Sequence, residues 1–373
     1  MHVVVTGSAG FIGRHLMLAL SSRPDTTVIG RDVQDDAASL IAAVRDADVI
    51  VHAAGVNRPQ SEDEFRTGNT DLTKAVCDAA SAGGRRPLVV LTSSIQAAGD
   101  SPYGTSKRDA EAVVTAWAAA GHGRGVVLRL ANVFGKWCRP NYNSAAATFC
   151  HAIANGLPFH VSDPAREVPL LCVDDIVAAV LRHVDAPPAV GTTQHESPGP
   201  VVPITLGNLV STLEGFRDSR TTLRIPDFST RFIQQLYATY LSYLAPDNFG
   251  YDLPTNHDPR GFLAEVVKQS SFGQIFVSRT RPGITRGNHW HHTKTEKFLV
   301  VEGEAVIRFR RIDGEDVIEE RVSGAAYRVV DIPPGYTHSI ENIGTTDMVC
   351  LFWASEIFDR DRPDTHPEAV LRA

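Results

Sequence analysis

Residues 3–13 read VVVTGSAGFIG, in which an apolar run leads directly into the glycines Gly7, Gly10 and Gly13. The apolar run predicts a buried β-strand, and the residues after Gly10 predict the start of a helix. Glycines at a strand-to-helix turn let the backbone approach a phosphate, and the helix N-terminus stabilises its negative charge. The stretch therefore predicts a nucleotide phosphate site, with a purely structural glycine turn as the alternative.

Short apolar runs alternate with amphipathic stretches from residue 1 to about residue 245. Such alternation is typical of βαβ units, in which helices connect the strands of a parallel sheet. We therefore predict an α/β fold for residues 1–245, with a Rossmann-type doubly wound parallel sheet. Within it, residues 185–203 are rich in Pro, Gly and Thr and predict a surface loop.

The sequence changes character after residue 245. Residues 246–373 contain short β runs separated by turns, which is typical of an all-β barrel or sandwich. The whole chain has 373 residues, about twice the commonest domain size, so two domains are expected. We predict that one domain covers residues 1–245 and the other residues 246–373.

Histidines recur at fixed positions in two linked patterns: Gly283-x5-His289-x-His291-x4-Glu296-x6-Gly303 and Pro333-x-Gly335-x2-His338-x3-Asn342. Alternate side chains of a strand share a face, so His289 and His291 can both point at one ion. Antiparallel pairing can bring Glu296 and His338 beside them. Three imidazoles and a carboxylate suit Zn, Fe, Mn or Ni. We predict a divalent metal, zinc foremost, held by these four residues; the alternative is a polar surface with scattered histidines.

Both patterns resemble the motifs of the cupin family, with Tyr327 in place of the glycine that usually opens the second motif. The resemblance implies that residues 246–373 form an all-β cupin barrel. A metal in it would either polarise a carbonyl as a Lewis acid or hold the barrel closed, and the motifs do not separate these roles.

Composition excludes several classes of protein. The formal net charge is −7 and no run of Lys and Arg occurs, which argues against nucleic-acid binding. No apolar stretch is long enough to predict a membrane span, and no signal-peptide pattern precedes Gly7. The five cysteines are widely spaced and form no C-x-x-C pair, which favours reduced thiols and a cytoplasmic location.

Tyr103 and Lys107 are four residues apart at the start of a predicted helix, so they share one face, where the lysine charge would lower the tyrosine pKa. With the G-x-x-G-x-x-G turn, this pair resembles the extended sugar-nucleotide branch of the short-chain dehydrogenase/reductase superfamily. The resemblance implies that Tyr103 exchanges a proton with the substrate oxygen and that Lys107 holds the nicotinamide ribose. It implies Ser94 as the third catalytic residue, although Gln96 stands where many extended members carry that hydroxyl.

The same resemblance implies the cofactor contacts. Arg31, at the predicted end of the second strand, favours the 2′-phosphate of NADPH, whereas Asp32 beside it would favour the ribose hydroxyl of NADH. We predict NADPH, and Asp32 keeps NADH open. The implied cofactor-binding residues are Gly7, Gly10, Phe11, Ile12, Gly13, Arg31, Ala53, Ala54, Gly55 and Lys107.

Further segments narrow the resemblance. Residues 129–135 match a family segment in which Asn132 would contact substrate, and residues 258–265 resemble deoxysugar 3,5-epimerases, where Arg260 and Glu265 would serve nucleotide binding. Residues 54–59, 134–138, 141–144 and 287–294 resemble the CapF family of bifunctional capsule-synthesis enzymes, and the resemblance runs over essentially the whole chain. That resemblance implies a substrate, UDP-2-acetamido-2,6-dideoxy-4-keto-hexose, whose C3 the cupin half inverts and whose C4 the reductase half reduces.

The implied product is UDP-N-acetyl-6-deoxy-L-talosamine, a precursor of N-acetyl-L-fucosamine, and the implied assembly is a homodimer. The base at C3 is not assigned, because strand alternation allows His292 and Lys294 to face outward. Two other hypotheses stay open: a cupin dioxygenase fused to a dehydrogenase, and an NADP-binding sensor with a ligand-binding cupin.

Overall fold

The computed structural model describes residues 1–372, which divide into two compact units. Residues Met1–Leu213 and Gln234–Leu244 form the N-terminal unit. Residues Glu214–Ile233 and the chain from Ala245 onward form the C-terminal unit. The division between Leu244 and Ala245 thus coincides with the change from alternating helix and strand patterns to β patterns. Residues 214–233, by contrast, group with the second unit. The domain boundary at residue 245 stays a prediction.

A parallel sheet forms the centre of the N-terminal unit, in the order β2-β1-β3-β4-β5-β8. A smaller sheet has the order β6-β7-β9. The strands are β1 (His2–Thr6), β2 (Thr27–Arg31), β3 (Val49–His52), β4 (Leu88–Ser94), β5 (Arg124–Leu130), β6 (Asn132–Phe134), β7 (Glu167–Cys172), β8 (Thr193–Glu196) and β9 (Val202–Thr205). The predicted surface loop at residues 185–203 is therefore wrong in part, because Thr193–Glu196 pair with β5 at the edge of the sheet.

Helices cover both faces of this sheet, so its central strands are apolar on both sides. In β1, Val3 and Val5 pack into one hydrophobic layer with Leu16, whereas Val4 packs into the opposite layer with Ile50. The helices are α1 (Phe11–Ser21), α2 (Ala37–Arg45), α3 (Asp63–Phe65), α4 (Leu72–Ala82), α5 (Pro102–Ala119), α6 (Ala145–Ala154), α7 (Val173–Asp185), α8 (Leu206–Thr222) and α9 (Arg231–Leu241). A π-helical turn, Arg66–Asp71, joins α3 to α4.

The strand order places a topological switch between β1 and β3. From β1 the chain passes to β2 on one side and then crosses to β3 on the other. In open α/β sheets, ligands bind in the crevice at the carboxyl ends of the strands beside such a switch. The glycine-rich loop follows β1 and residues 53–55 follow β3, so both lie at this crevice.

Antiparallel strands form the C-terminal unit, in two sheets ordered β10-β11-β12-β19-β14-β17 and β16-β15-β18-β13-β20. Apolar side chains of both sheets, including Phe298, Ile307, Phe309 and Phe352, share one core. The strands are β10 (Thr255–Asp258), β11 (Gly261–Gln269), β12 (Gly273–Thr280), β13 (Thr285–Trp290), β14 (Glu296–Glu302), β15 (Glu304–Arg311), β16 (Val317–Ser323), β17 (Val329–Ile332), β18 (Tyr336–Asn342), β19 (Met348–Ala354) and β20 (His366–Pro367). The predicted fold class, a Rossmann-type sheet followed by an all-β cupin-like barrel, is confirmed. In the described part of the chain, no helix is both long and apolar enough to cross a bilayer.

Arg310 of β15 ties the end of the described chain to the barrel. Its side chain is fully buried and donates to the carbonyl groups of Ala369 and Val370, both at 3.0 Å, and to the Glu368 carboxylate at 2.7 Å. It also donates to the Gly314 carbonyl at 3.1 Å. A buried carbonyl that loses its donor keeps its desolvation cost, so this arginine holds several polar groups in place at once.

We expect Arg310→Met to destabilise the C-terminal unit, because it keeps the apolar stem but removes the buried guanidinium that donates to residues 368–370. The free energy of unfolding should fall by about 3 kcal/mol. Hydrogen exchange at the amides of residues 368 and 370, which donate to Asn288, should become faster. The control is Arg311→Met on the same strand, whose exposed side chain pairs with Asp313. Equal effects of the two variants would contradict the prediction.

Candidate active site and metal centre

The glycine-rich loop approaches neighbouring backbone too closely for any side chain. Gly7 has a φ of +67°, and a Cβ there would lie 2.8 Å from the Ala54 nitrogen. A Cβ on Gly13 would lie 2.0 Å from the Gly7 carbonyl oxygen. Gly10 caps α1 without a side-chain hydrogen bond, which leaves the first N–H groups of the helix for a ligand. The loop therefore fits the diphosphate of a dinucleotide.

A cavity of about 690 Å³ opens beside this loop. It brings together the glycine-rich loop after β1, the segment after β3, the end of β4 and the start of α5. The predicted residues that line it are Gly7, Gly10, Phe11, Ile12, Gly13, Ala53, Gly55, Ser94, Tyr103, Lys107 and Asn132. Of the predicted residues in this unit, Ala54 packs against Gly7 instead, and Arg31 lies outside the cavity wall.

The first turn of α5 positions the predicted catalytic pair. Ser101 caps the helix by accepting a hydrogen bond from the Gly104 N–H at 3.0 Å, and Pro102 begins the helix. Tyr103 and Lys107 then stand one turn apart, with the lysine Nζ 5.9 Å from the tyrosine ring centroid. The Lys107 ammonium is buried and donates to the Thr92 carbonyl at 3.2 Å.

Burial controls the pKa values of this pair. It lowers the pKa of Lys107 to about 8, although the Glu111 carboxylate partly opposes the shift. Burial raises the pKa of Tyr103, and a hydrogen bond with Ser94 opposes that rise. The predicted lowering of the Tyr103 pKa by Lys107 is not found, since the ammonium contacts the Thr92 carbonyl rather than the phenol oxygen. Ser94 thus contacts Tyr103, and its catalytic role stays a prediction.

An ion pair between the buried Glu111 carboxylate and the partly exposed Arg129 fixes α5 against the sheet one turn beyond Lys107. The Glu111 carboxylate accepts hydrogen bonds from Ser93 at 2.5 Å and from Arg129 at 2.6 Å. Burial alone would raise the pKa of Glu111, but these donors outweigh it and lower that pKa. Glu111 was not among the residues predicted from the sequence. Its position four residues after Lys107, on the same helix face, could have indicated it.

Asn69 performs a similar task on the other side of α5, from the π-helical turn. Its amide group accepts from the Val56 N–H and donates to the Val56 carbonyl and to the Ser106 hydroxyl, each at 3.0 Å. Ser106 in turn donates to the Tyr103 carbonyl at 2.8 Å. The Tyr103 backbone is thereby tied to the segment that follows Gly55.

The end of β2 carries the residues that distinguish the two dinucleotides. The Arg31 guanidinium donates to the Ser39 carbonyl at 3.3 Å and to the Gly30 carbonyl at 3.0 Å, beside α2. The Asp32 carboxylate accepts from the Ala9 N–H of the glycine-rich loop at 2.7 Å. Both side chains thus have local partners, and the choice of NADPH over NADH stays a prediction.

In the C-terminal unit, the four predicted metal ligands converge. Their ligand atoms all lie within 4.8 Å of one another. One Glu296 oxygen lies 3.4 Å from Nε2 of His291 and 3.3 Å from Nε2 of His338. These two buried nitrogens have no hydrogen-bond partner among residues 1–372. Inward-facing imidazole nitrogens without partners, beside a carboxylate, fit a divalent ion such as Zn.

Burial and neighbouring charges shift the pKa values of these side chains towards the protonation states that bind a cation. Burial lowers the pKa of His289 to about 4, and the neighbouring His338 adds to the shift, so the ring is neutral near pH 7. Burial alone would raise the pKa of Glu296, but His291 and His338 outweigh it and hold that pKa well below its usual range. Metal ligation requires neutral imidazoles and an ionised carboxylate.

Asp364 orders the loop between β13 and β14, which joins two of the ligands. Its carboxylate accepts hydrogen bonds from the N–H groups of His292 and Thr293 at 2.8 Å and of Lys294 at 2.9 Å. Its carbonyl oxygen contacts Nδ1 of His291. A hydrogen bond at Nδ1 orients the imidazole so that Nε2 faces the ion.

The two side chains considered for the C3 base differ in orientation. Lys294 is buried, with Nζ 4.0 Å from Glu296 and 3.0 Å from the Thr365 hydroxyl. His292 instead packs edge to face against Trp290, with ring centroids 4.4 Å apart. Lys294 therefore faces the metal ligands.

Arg260 and Glu265 find their partners locally. Arg260 pairs with Asp258 at 2.6 Å in the β10–β11 turn, and Glu265 pairs with Lys268 at 2.7 Å. Their role in nucleotide binding stays a prediction. Arg286 of β13, which sequence analysis did not single out, is largely buried and has one guanidinium nitrogen without a hydrogen bond in the described structure.

We expect Asp364→Ala to weaken metal binding by about 10- to 100-fold, because the loop between His291 and Glu296 loses its acceptor. Competition with a chromophoric chelator would measure the affinity, and elemental analysis the metal content. The control is Asp361→Ala in the same exposed segment. The same affinity in both variants would show that Asp364 does not position the ligands.

The fold and the two sites define a class of protein: a dinucleotide-binding domain of the short-chain dehydrogenase/reductase type joined to a cupin-like barrel that carries a cluster of potential metal ligands. Comparison with known families agrees. The NAD dependent epimerase/dehydratase family matches residues 3–195, and the polysaccharide biosynthesis C-terminal domain matches residues 256–366. The chain belongs to the NAD-dependent epimerase/dehydratase family.

Two relatives match over the whole length. The chain is 41% identical to a UDP-2-acetamido-2,6-beta-L-arabino-hexul-4-ose reductase of Pseudomonas aeruginosa, over 99% of both chains. It is 43% identical to the capsular polysaccharide assembling protein CapF of Staphylococcus aureus, with a TM-score of 0.91, covering 99% of this chain and 100% of that one. The resemblance to the CapF family is thereby confirmed.

A more distant structure supports the fold of the first unit alone. The UDP-glucuronic acid 4-epimerase of Bacillus cereus, in complex with NAD, is 18% identical. The match covers 65% of this chain and 98% of that one, with a TM-score of 0.54.

Proposed function

We propose that this protein is a bifunctional nucleotide-sugar enzyme. Its C-terminal unit inverts C3 of UDP-2-acetamido-2,6-dideoxy-4-keto-hexose, of the beta-L-arabino type, and its N-terminal unit reduces C4 with NADPH. The product is UDP-N-acetyl-6-deoxy-L-talosamine. The observation that carries the proposal is the arrangement of Tyr103, Lys107 and Ser94 beside the glycine-rich loop in one cavity. The full-length similarity to a UDP-keto-sugar reductase supports the substrate class.

Reduction needs a proton donor at the oxygen on C4. A dinucleotide held at the glycine-rich loop would supply the hydride to that carbon. Tyr103 gives its phenolic proton to the developing alkoxide, and its raised pKa keeps that proton in place until then. The positive charge of Lys107, whose Nζ lies 5.9 Å from the Tyr103 ring centroid, favours the phenolate that remains, while the Ser94 hydroxyl orients the carbonyl.

NADPH is the proposed reductant because Arg31 stands at the end of β2, where a 2′-phosphate would lie. Both Arg31 and Asp32 have local partners, so the proposal rests on the position and charge of Arg31 and not on the partners of either side chain.

Inversion at C3 relies on the acidity of a C–H bond next to a ketone. Removal of the C3 proton leaves an enolate, which is reprotonated on the opposite face. The main task of the site is to stabilise the negative charge on the enolate oxygen. A metal held by His289, His291, Glu296 and His338 would supply a Lewis acid for this oxygen or hold the barrel closed. The Lys294 ammonium, 4.0 Å from the other Glu296 oxygen, adds a second positive charge near the site.

Variants of the two units should distinguish C3 epimerisation from C4 reduction. In D₂O without NADPH, we expect deuterium to enter C3 of the keto-sugar nucleotide, as followed by NMR. Tyr103→Phe should keep this exchange and lose reduction by about 10²-fold or more, since the proton donor is gone. His289→Ala tests the metal centre, and loss of its C3 exchange would assign the metal a part in epimerisation. If the wild type shows neither C3 exchange nor NADPH oxidation, the proposed substrate is wrong.

Reduction should slow as the pH rises through about 8, where buried Lys107 loses its charge. The stability contribution has the opposite sign: the folded pKa lies below the unfolded one, so stability rises with pH between them. Rapid-mixing measurements at saturating substrate would give the reduction rate as a function of pH. Lys107→Arg should remove the fall in rate above about pH 8, because a guanidinium stays charged. The same fall in this variant would show that another group causes it.

A further inference from the structure

Arg58, Arg139 and Tyr142 form a cluster beside the reductase cavity, outside the catalytic group. The guanidinium carbons of Arg58 and Arg139 lie 5.0 and 5.4 Å from the centroid of the Tyr142 ring. The Tyr142 hydroxyl donates to the Asn57 amide oxygen at 3.3 Å. Asn57, Arg139 and Tyr142 all line the cavity. We propose that this cluster binds the diphosphate of the nucleotide-sugar substrate, an inference that rests on the proposed reductase function.

The charges of the cluster are not balanced by protein groups. Among residues 1–372, neither Arg58 nor Arg139 has a carboxylate partner, nor does Arg14 on the same cavity wall. Arg129, which precedes the cavity-lining Leu130 on β5, by contrast pairs with Glu111. The two guanidinium groups near the Tyr142 ring repel each other, and a bound dianion would offset that repulsion. In a chain with a net charge of −7, a local positive site is also what attracts an anionic substrate.

The loop that carries Arg139 and Tyr142 is held in a defined conformation. Two of its non-glycine residues, Trp137 and Asn141, have left-handed φ values of 67° and 55°. Arg14 donates to the Trp137 carbonyl at 2.9 Å, and Thr148 accepts from the Asn141 N–H at 3.0 Å. A conformation of this kind costs about 1–3 kcal/mol per residue and recurs at ligand sites.

The position of the cluster favours the substrate over the cofactor. The glycine-rich loop and the start of α1 already provide a site for the diphosphate of the dinucleotide. Asn57 and Arg58 continue the chain beyond Gly55, and Tyr142 lines the same cavity as Tyr103. A nucleotide sugar with its ketone at Tyr103 can therefore extend its diphosphate towards the cluster. Guanidinium groups suit that task because they bind phosphate oxygens in pairs.

Calorimetric titration of the full-length protein with UDP, uridine and NADPH would test the assignment. We expect Arg58→Ala and Arg139→Ala each to weaken UDP binding about tenfold or more, and to leave uridine and NADPH binding unchanged. Tyr142→Leu should also weaken UDP binding, whereas Tyr142→Phe should retain most of it because the ring remains. Arg85→Ala is the control for charge, since Arg85 pairs with Asp48 before the amino ends of the central strands β3 and β4. Both cluster arginines are exposed, so these variants should keep the wild-type melting temperature.

Three results would overturn the inference. Unchanged UDP affinity in both arginine variants would show that the cluster binds no diphosphate. A loss confined to NADPH would assign the cluster to the cofactor, and an equal loss in Arg85→Ala would reduce the effect to net charge. Steady-state reduction separates this inference from the proposed function: a wild type that binds UDP through the arginines but reduces no UDP-keto sugar would disprove the function alone. With an active wild type, we expect the arginine variants to raise KM and leave kcat nearly unchanged.

Discussion

The close approach of the glycine-rich loop to the end of β3 is the constraint on which the N-terminal unit depends. Gly7 lies against the Ala54 backbone and Gly13 against the Gly7 carbonyl, with no space for a Cβ at either position. This contact sets α1 at the topological switch of the sheet and points its free N–H groups into the crevice. The residues after β3 thereby become the second wall of the cavity that contains Tyr103.

The predicted catalytic pair depends on this arrangement through buried polar contacts, in addition to the apolar packing of α5 through Ala110 and Val114. Lys107 is held by a backbone carbonyl of β4, and Glu111, one turn further along α5, is held by Ser93 of the same strand and by Arg129 of β5. Each of these groups would be costly to bury without its partner. The geometry that presents Tyr103 is therefore specified by a network in which every member satisfies another.

Local patterns made much of this structure predictable. The strand-glycine-helix turn, the Tyr-x-x-x-Lys spacing and the two histidine patterns each lie within a short stretch, so neighbouring positions alone determine which side chains share a face. Features that depend on distant pairing were not predictable. Thr193–Glu196 has no strand signal of its own and is a strand only because β5 offers a free edge. The lowered pKa of Lys107 likewise comes from burial, which no spacing reveals.

The candidate metal centre shows a similar limit. All four predicted ligands could be identified in the sequence, yet the group that orders their loop, Asp364, lies about seventy residues beyond His292–Lys294 and belongs to no motif. Its carboxylate bonds to three successive backbone N–H groups and to one side chain of the loop, that of Thr293, so the loop sequence records little of the contact. In both units, then, the residues predicted to perform chemistry belong to short patterns. The residues that position them are contributed by other elements of the fold.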